Sequence, residues 1–302
     1  MMLSRTLLLA LAMAATPAAA QTAPYRLQLG DTAVIALSDG TFDLSTEALL
    51  IEPRPGEVAE LLAKAGKPAT LPTAVNAFLV ERDGHRVLID TGSGTNLGPA
   101  LGKVGAALEA ANIAPDSIEA VLITHLHPDH VGGLVTPEGK AAFPDATVWI
   151  ETAERAYWTD PANREKADDA AKGTFDAVAA ALAPYIAAGK VSTFAPGQEV
   201  VAGVTSVALA GHTPGHAGYR IEGGGQVLLA WGDIVHAADV QFTDPAIAIR
   251  FDSDPASAQA ARLALFQDAA AKGYWIAAAH IAYPGIGGVR AADGHFEWVS
   301  IE

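Results

Sequence analysis

His125-Leu126-His127-Pro128-Asp129-His130-Val131-Gly132-Gly133 decides the reading of this chain. Three imidazoles and one carboxylate fall within six positions, directly after the apolar run Ala120-Val121-Leu122-Ile123. That run has the length and composition of a buried strand, and the two glycines behind the motif let the chain turn sharply into a helix. Nitrogen and oxygen ligands crowded at a strand end suit zinc or a similar divalent ion. His125 and His127, on alternate positions, point the same way from an extended segment, while Asp129 and His130 reach the other side of the turn. The layout suits two metals rather than one. A histidine-rich loop without function is the weaker reading, because three of the nine histidines of the chain sit in those six positions.

Three later stretches place further ligand-type residues at strand ends. Gly211-His212-Thr213-Pro214-Gly215-His216 follows a strand ending at Leu209, Asp233 follows Leu228-Leu229-Ala230-Trp231-Gly232, and His280 follows Ile276-Ala277-Ala278-Ala279. Around them the pattern gives an antiparallel start from Tyr25 to Phe42, with turns at Gly30-Asp31 and Asp39-Gly40. A surface excursion from Glu52 to Pro72 carries a short helix, Glu57 to Ala65. Strands at Asn76 to Val80 and Arg86 to Ile89 flank the turn Arg82-Asp83-Gly84. Helices are expected at Pro99 to Ala111, over most of Lys166 to Ala188, and at Pro255 to Ala271 behind a Ser253 or Asp254 cap. Ala120 to Thr124 and Thr147 to Ile150 read as strands. Val191 to Phe194, Thr205 to Leu209, Gly218 to Ile221 and Val227 to Ala230 read as strands of a second sheet, and Trp275 to Ala279 as a last buried strand. Two β-rich halves with helices outside make a four-layer sandwich in one domain, its site at the strand ends where the halves meet.

Composition narrows the function. The 302 residues are half hydrophobic and 18% charged, as in a soluble globular protein. Arg5, the apolar run Leu7 to Ala15 and the small residues Ala18-Ala19-Ala20 form an export signal over residues 1–20. This leaves a single domain over 21–302 in the periplasm or secreted, with no membrane attachment after cleavage. There are no cysteines, which removes thiolate from the candidate ligands and nucleophiles. A formal net charge of −15 without a basic cluster excludes nucleic acid as partner and favours a neutral or cationic small-molecule substrate. Monomer and homodimer both stay open.

His125, His127, Asp129, His130, His212, Asp233 and His280 together resemble the metallo-β-lactamase superfamily. Within it, Asp90-Thr91-Gly92-Ser93-Gly94, the run from Phe143 to Val148, and Ala277-Ala278-Ala279-His280 with Pro284-Gly285-Ile286-Gly287 resemble the exported methyl parathion hydrolase group and its lactonase and arylesterase relatives. The resemblance implies an α/β (α+β) fold, the four-layer αββα sandwich, and a hydrolase of neutral esters or lactones with phosphotriester side activity. It implies two divalent ions, zinc first with manganese or cobalt as alternatives, and attack by a metal-bridging hydroxide. His125, His127 and His212 hold the first ion; Asp129, His130 and His280 hold the second; Asp233 bridges both. Two cations roughly 3.5–4 Å apart repel each other, and an anionic bridge offsets this.

Asp90 reads as an orienting partner of a ligand imidazole or as a plain turn residue, and His216 as a structural hydrogen-bonding group. Asp129 and His236 are the candidates for a direct part in catalysis. Lactonases of the superfamily carry a tyrosine three residues after the bridging Asp; His236 stands there, either as a proton donor or as a solvated loop histidine. Leu97, Tyr157, Trp158 and Phe175 are the expected pocket residues. Leu97 stands where the organophosphate hydrolases have an aromatic residue. The alternative function is a cysteine-free metallo-β-lactamase acting on β-lactam antibiotics, against which Asp233 counts.

Overall fold

Period-two alternation along the strands sorts their side chains into separate cores. In a computed structural model that describes residues 24–301, Val34 and Ala36 face one core while Ile35 and Leu37 face another. Phe78 and Val80 against Ala77 and Leu79 repeat the pattern, as do Leu228 and Ala230 against Leu229. Both faces of each strand are therefore buried, which requires four layers. The expected export signal at 1–20 lies outside the described residues.

The first sheet has seven strands in the order Arg26–Leu29, Thr32–Ser45, Thr70–Arg82, His85–Ile89, Ala120–Leu122, Thr147–Glu151, Val191–Phe194. Pairing is antiparallel up to His85–Ile89 and parallel beyond it. The second sheet, also of seven strands, runs His295–Ser300, Ile286–Ala292, Trp275–Ala277, Gln226–Ala230, Ala217–Gly223, Val204–Ala208, Glu199–Val201. Between the sheets lies a core that includes Val34, Phe78, Leu122, Tyr219, Leu228 and Ala277. Helices Val104–Ala110 and Asp169–Ala187 cover the outer face of the first sheet through Leu108, Val178 and Leu182. Helix Pro255–Lys272 covers the second through Leu265 and Phe266, and Asp254 caps it by accepting the Ser257 N–H. The architecture is the expected αββα sandwich.

Three elements differ from the sequence reading. Val191–Phe194 belongs to the first sheet, parallel to Thr147–Glu151, because helix Asp169–Ala187 acts as the crossover of a βαβ unit. Asp39-Gly40 is no turn but a bulge inside one strand of 14 residues, where the register slips between Ser38 and Gly40. Gly40 has φ 126, and a side chain there would collide with the Ala100 carbonyl. The bulge turns the buried Asp39 toward a loop, where it accepts N–H groups from Ser93 (2.9 Å), Gly102 (3.0 Å) and Val104 (3.2 Å). That contact also explains why the helix expected from Pro99 starts only at Val104. Gly98 and Gly102 have φ 85 and 80, outside helical space, and Asp39 caps the first free N–H of the helix.

Strands Ala120–Leu122, Gln226–Ala230 and Trp275–Ala277 all end at the same edge of the sandwich, and the chain beyond each carries His125, Asp233 and His280. Loops from both halves meet there.

Candidate metal centre

Two groups of side chains converge at this edge. His125, His127, His212 and Asp233 form one, and Asp129, His130, Asp233 and His280 the other. Within each, the ligand-type atoms all lie within 4.8 Å of one another. Asp233 belongs to both. Its Oδ2 lies 3.2 Å from His212 Nε2, 3.1 Å from His280 Nε2 and 3.5 Å from His125 Nε2, while Oδ1 lies 3.1 Å from His130 Nε2.

The opposite nitrogens are occupied. His130 Nδ1 meets Asp90 Oδ2 at 2.8 Å, His212 Nδ1 meets Asp252 Oδ1 at 2.9 Å, and His280 Nδ1 meets the Ala74 carbonyl at 2.8 Å. An oxygen acceptor at Nδ1 holds the proton there and leaves the Nε2 lone pair aimed at the shared centre, as a metal ligand requires. Asp90 also accepts the N–H and hydroxyl of Thr124, so it orients the His130 ring and pins the start of the motif. The donor set suits divalent cations on a second ground. His125 Nε2, His130 Nε2 and Asp233 Oδ1 are buried without a hydrogen-bond partner, a cost of about 1–3 kcal/mol each unless a cation satisfies them.

Electrostatics follow burial and charge. Burial opposes ionisation of Asp233, yet His130, His280 and His125 hold its carboxyl well below the usual range. Burial lowers His212, but the carboxylates of Asp233 and Asp252 outweigh it and lift the ring to about 9. Burial pushes His127 down to about 3 and His236 to about 4. His236 is thus no solvated loop residue. It is buried, with Nε2 3.0 Å from Asp233 Oδ2 and its ring stacked 4.9 Å from His280.

His216 has a structural place. Its Nδ1 lies 3.1 Å from the Leu209 carbonyl, and its Nε2 accepts the Asp233 N–H at 3.1 Å. Gly232, at φ 57, packs so closely on that ring that a side chain would collide with it. Burial pushes His216 down to about 3, whereas an unfolded chain protonates it near pH 6.5. Between those values the unfolded state binds the extra proton, so stability is full above pH 6.5 and falls as the pH drops. In His216→Asn the acid slope of unfolding free energy between pH 6 and 4 should be shallower by about 1.4 kcal/mol per pH unit. Urea titrations at several pH values measure it, and an unchanged slope would remove His216 as the titrating group.

A cleft of about 420 Å³ opens onto the centre, with Phe42, Leu49, Leu97, Leu101 and Phe251 on its walls and His127, Asp129, Asp233, His236 and His280 exposed to it. Of the four expected pocket residues only Leu97 lines it. Trp158 and Phe175 are buried in the first sheet's outer core, with Tyr157 packed against it. They pack on one another, and Trp158 meets the His127 ring edge-on at 5.7 Å. Helix Asp169–Ala187 turns Thr174, one position away, to the cleft instead.

Two supporting carboxylates were not singled out from the sequence. Asp252 lies in Phe251-Asp252-Ser253-Asp254, where a helix cap is the visible signal. Glu154 resembles an ordinary helix-surface charge, yet it is fully buried. Its Oε1 accepts Leu126 N–H and Trp158 Nε1–H, and its Oε2 accepts Gly215 N–H, each at 2.8 Å. It therefore ties the loop of His125 and His127 to the loop of His212.

Comparison with known proteins agrees with this architecture. The solved hydrolase AbOPH, described as lying in the beta lactamase superfamily, is 37% identical with a TM-score of 0.88, over 93% of this chain and 99% of that one. AidC, a dizinc quorum-quenching lactonase, is 22% identical with a TM-score of 0.84, over 92% and 97%, a likeness of fold. Anti-Pycsar protein Apyc1 of Saccharibacillus brassicae is 44% identical over 59 residues, so the match spans only about a fifth of that curated relative's length. The model of the metallo-beta-lactamase superfamily matches residues 70–280, the span that runs from the third strand of the first sheet to the last ligand-type histidine. By that match and the AbOPH likeness, the chain belongs to the metallo-beta-lactamase superfamily.

Proposed function

We propose that the protein is an exported metal-dependent hydrolase of neutral small-molecule esters or lactones, with phosphotriesters as side substrates. The observation that carries this reading is the meeting of two ligand sets at Asp233 on the floor of an apolar-walled cleft. His125, His127 and His212 would hold one ion; Asp129, His130 and His280 the other; Asp233 both. When bound, such ions supply a Lewis acid for a carbonyl or phosphoryl oxygen and an activated water near neutral pH. Zinc is the first choice and manganese or cobalt the alternatives.

The chain's own residues do the rest. Asp90 and Asp252 hold His130 and His212 in the required tautomer. Phe42, Leu97 and Phe251 keep the approach apolar, so a neutral acyl group sheds its water on entering. His236 borders the cleft with its Nε2 3.0 Å from Asp233 Oδ2, which places the ring beside the reacting group. The descriptions of AbOPH as a hydrolase and of AidC as a lactonase with its product N-hexanoyl-homoserine support the reading.

A β-lactam antibiotic bears a carboxylate, and among the described residues no Lys or Arg lines the cleft to receive it. Metal-loaded protein should therefore cleave lactones or aryl esters with kcat/KM at least about tenfold above any cephalosporin or carbapenem, a difference of about 1.4 kcal/mol in transition-state binding. Chelation should abolish the activity, and zinc, manganese or cobalt should restore it. Efficient carbapenem cleavage with negligible esterase activity would reverse the assignment.

A further inference from the structure

Three aspartates line the cleft, Asp129, Asp233 and Asp43. The first two belong to the ligand sets; Asp43 does not. It lies near the end of strand Thr32–Ser45, paired in register with Pro72, and its side chain is exposed. Among the described residues no hydrogen bond or ion pair engages its carboxylate. The walls beside it are uncharged, and two of them are aromatic: Phe42 lies 6.1 Å from the His280 ring and Phe251 lies 6.2 Å from the His236 ring. Asp129 and Asp233 would be offset by the ions they hold, whereas Asp43 keeps its charge at its own end of the cleft, where it attracts a cation and repels an anion. Phenyl faces act in the same direction.

We propose that Asp43 biases the cleft by charge, raising its preference for ester or lactone substrates that carry an ammonium group relative to anionic ones of the same size. The proposal rests on the hydrolase reading and names its substrate class. The reaction itself is ordinary hydrolysis. Water adds to the acyl carbon, the acyl–oxygen bond breaks, and the acid and the phenol leave with the water's hydrogens shared between them. The charge acts only on how well each substrate is held, and the net charge of −15 adds a long-range bias of the same sign.

The test uses two aryl acetates that differ in the para group, trimethylammonium in one and sulfonate in the other, on metal-loaded wild type, Asp43→Asn and Asp43→Lys. Comparing each variant with wild type on the same ester cancels the difference in leaving group. The cation-to-anion ratio of kcat/KM should fall about tenfold in Asp43→Asn, since attraction for one ester and repulsion for the other are lost together. It should fall further in Asp43→Lys, and the wild-type ratio should shrink at high salt. A ratio unchanged within about twofold in both variants would overturn the role of Asp43. If neither ester is hydrolysed, the hydrolase reading fails. Calorimetric affinities of phenyltrimethylammonium and benzenesulfonate for wild type and Asp43→Asn then decide the charge selection by the same ratio.

Discussion

Asp233→Ala should lose at least about a thousandfold in kcat/KM and most of its bound metal together, since losing the ions' several kcal/mol of transition-state stabilisation has that effect on rate. The reason is geometric. Five imidazoles, those of His125, His130, His212, His236 and His280, stand within 3.0–3.5 Å of this one carboxylate. Without it they face one another across a hollow with no shared anion between two cations, and only Asp129 is left to offset them. Elemental analysis should fall from about two divalent ions per chain to fewer than one, while circular dichroism shows the fold retained. A variant that keeps both ions and wild-type turnover would sink the shared-ligand arrangement. Asp233→Asn tests the charge separately from the volume, and it should lose metal as well.

Glu154→Leu should be among the most destabilising single changes in the molecule, although Glu154 touches no substrate. Its carboxylate accepts three N–H groups, all in the interior. Leucine fills much of the volume and leaves Leu126 N, Gly215 N and Trp158 Nε1 unsatisfied. At about 1–3 kcal/mol for each abandoned donor, the loss is about 4 kcal/mol, against about 5–15 kcal/mol for a typical native domain. Thermal unfolding should shift down by about 10 °C. A change smaller than about 1 kcal/mol would show that the two ligand loops are held by something else.

The difference between these residues shows what the sequence could disclose. The cluster of candidate ligands was legible because a metal site restricts residue type, and because the strand-then-motif order of Leu122 to His130 places four of the donors within a few positions. Asp252 and Glu154 act on partners 40 and 28 residues away, and no local pattern marks such a contact. Tyr157, Trp158 and Phe175 were expected in the pocket for their apolar character. Which side of a helix faces the cleft is decided by what packs against it, and here Thr174 takes the place expected of Phe175. Strand content was similarly clearer than strand partnership. Val191–Phe194 is a strand as expected, but its sheet depends on the crossover before it. The Asp39-Gly40 pair has turn composition and serves a bulge, because the Asp39 carboxylate finds three N–H partners on a loop that only the fold brings near.

Every strand of the first sheet precedes residue 195 and every strand of the second follows residue 198, so the chain crosses from one sheet to the other once, around the exposed Gly197. His125, His127, Asp129 and His130 lie before that crossing, and His212, Asp233 and His280 after it. Neither ligand set is complete on one side: the first takes two residues from each half, and so does the second. Each proposed ion is in this sense a rivet as well as a reagent. Its affinity includes the free energy of docking one half on the other, and the docked halves are stabilised by mass action as the ion concentration rises. In a chain cut at Gly197, the ions would become the ligands that set how firmly two separate fragments stay joined.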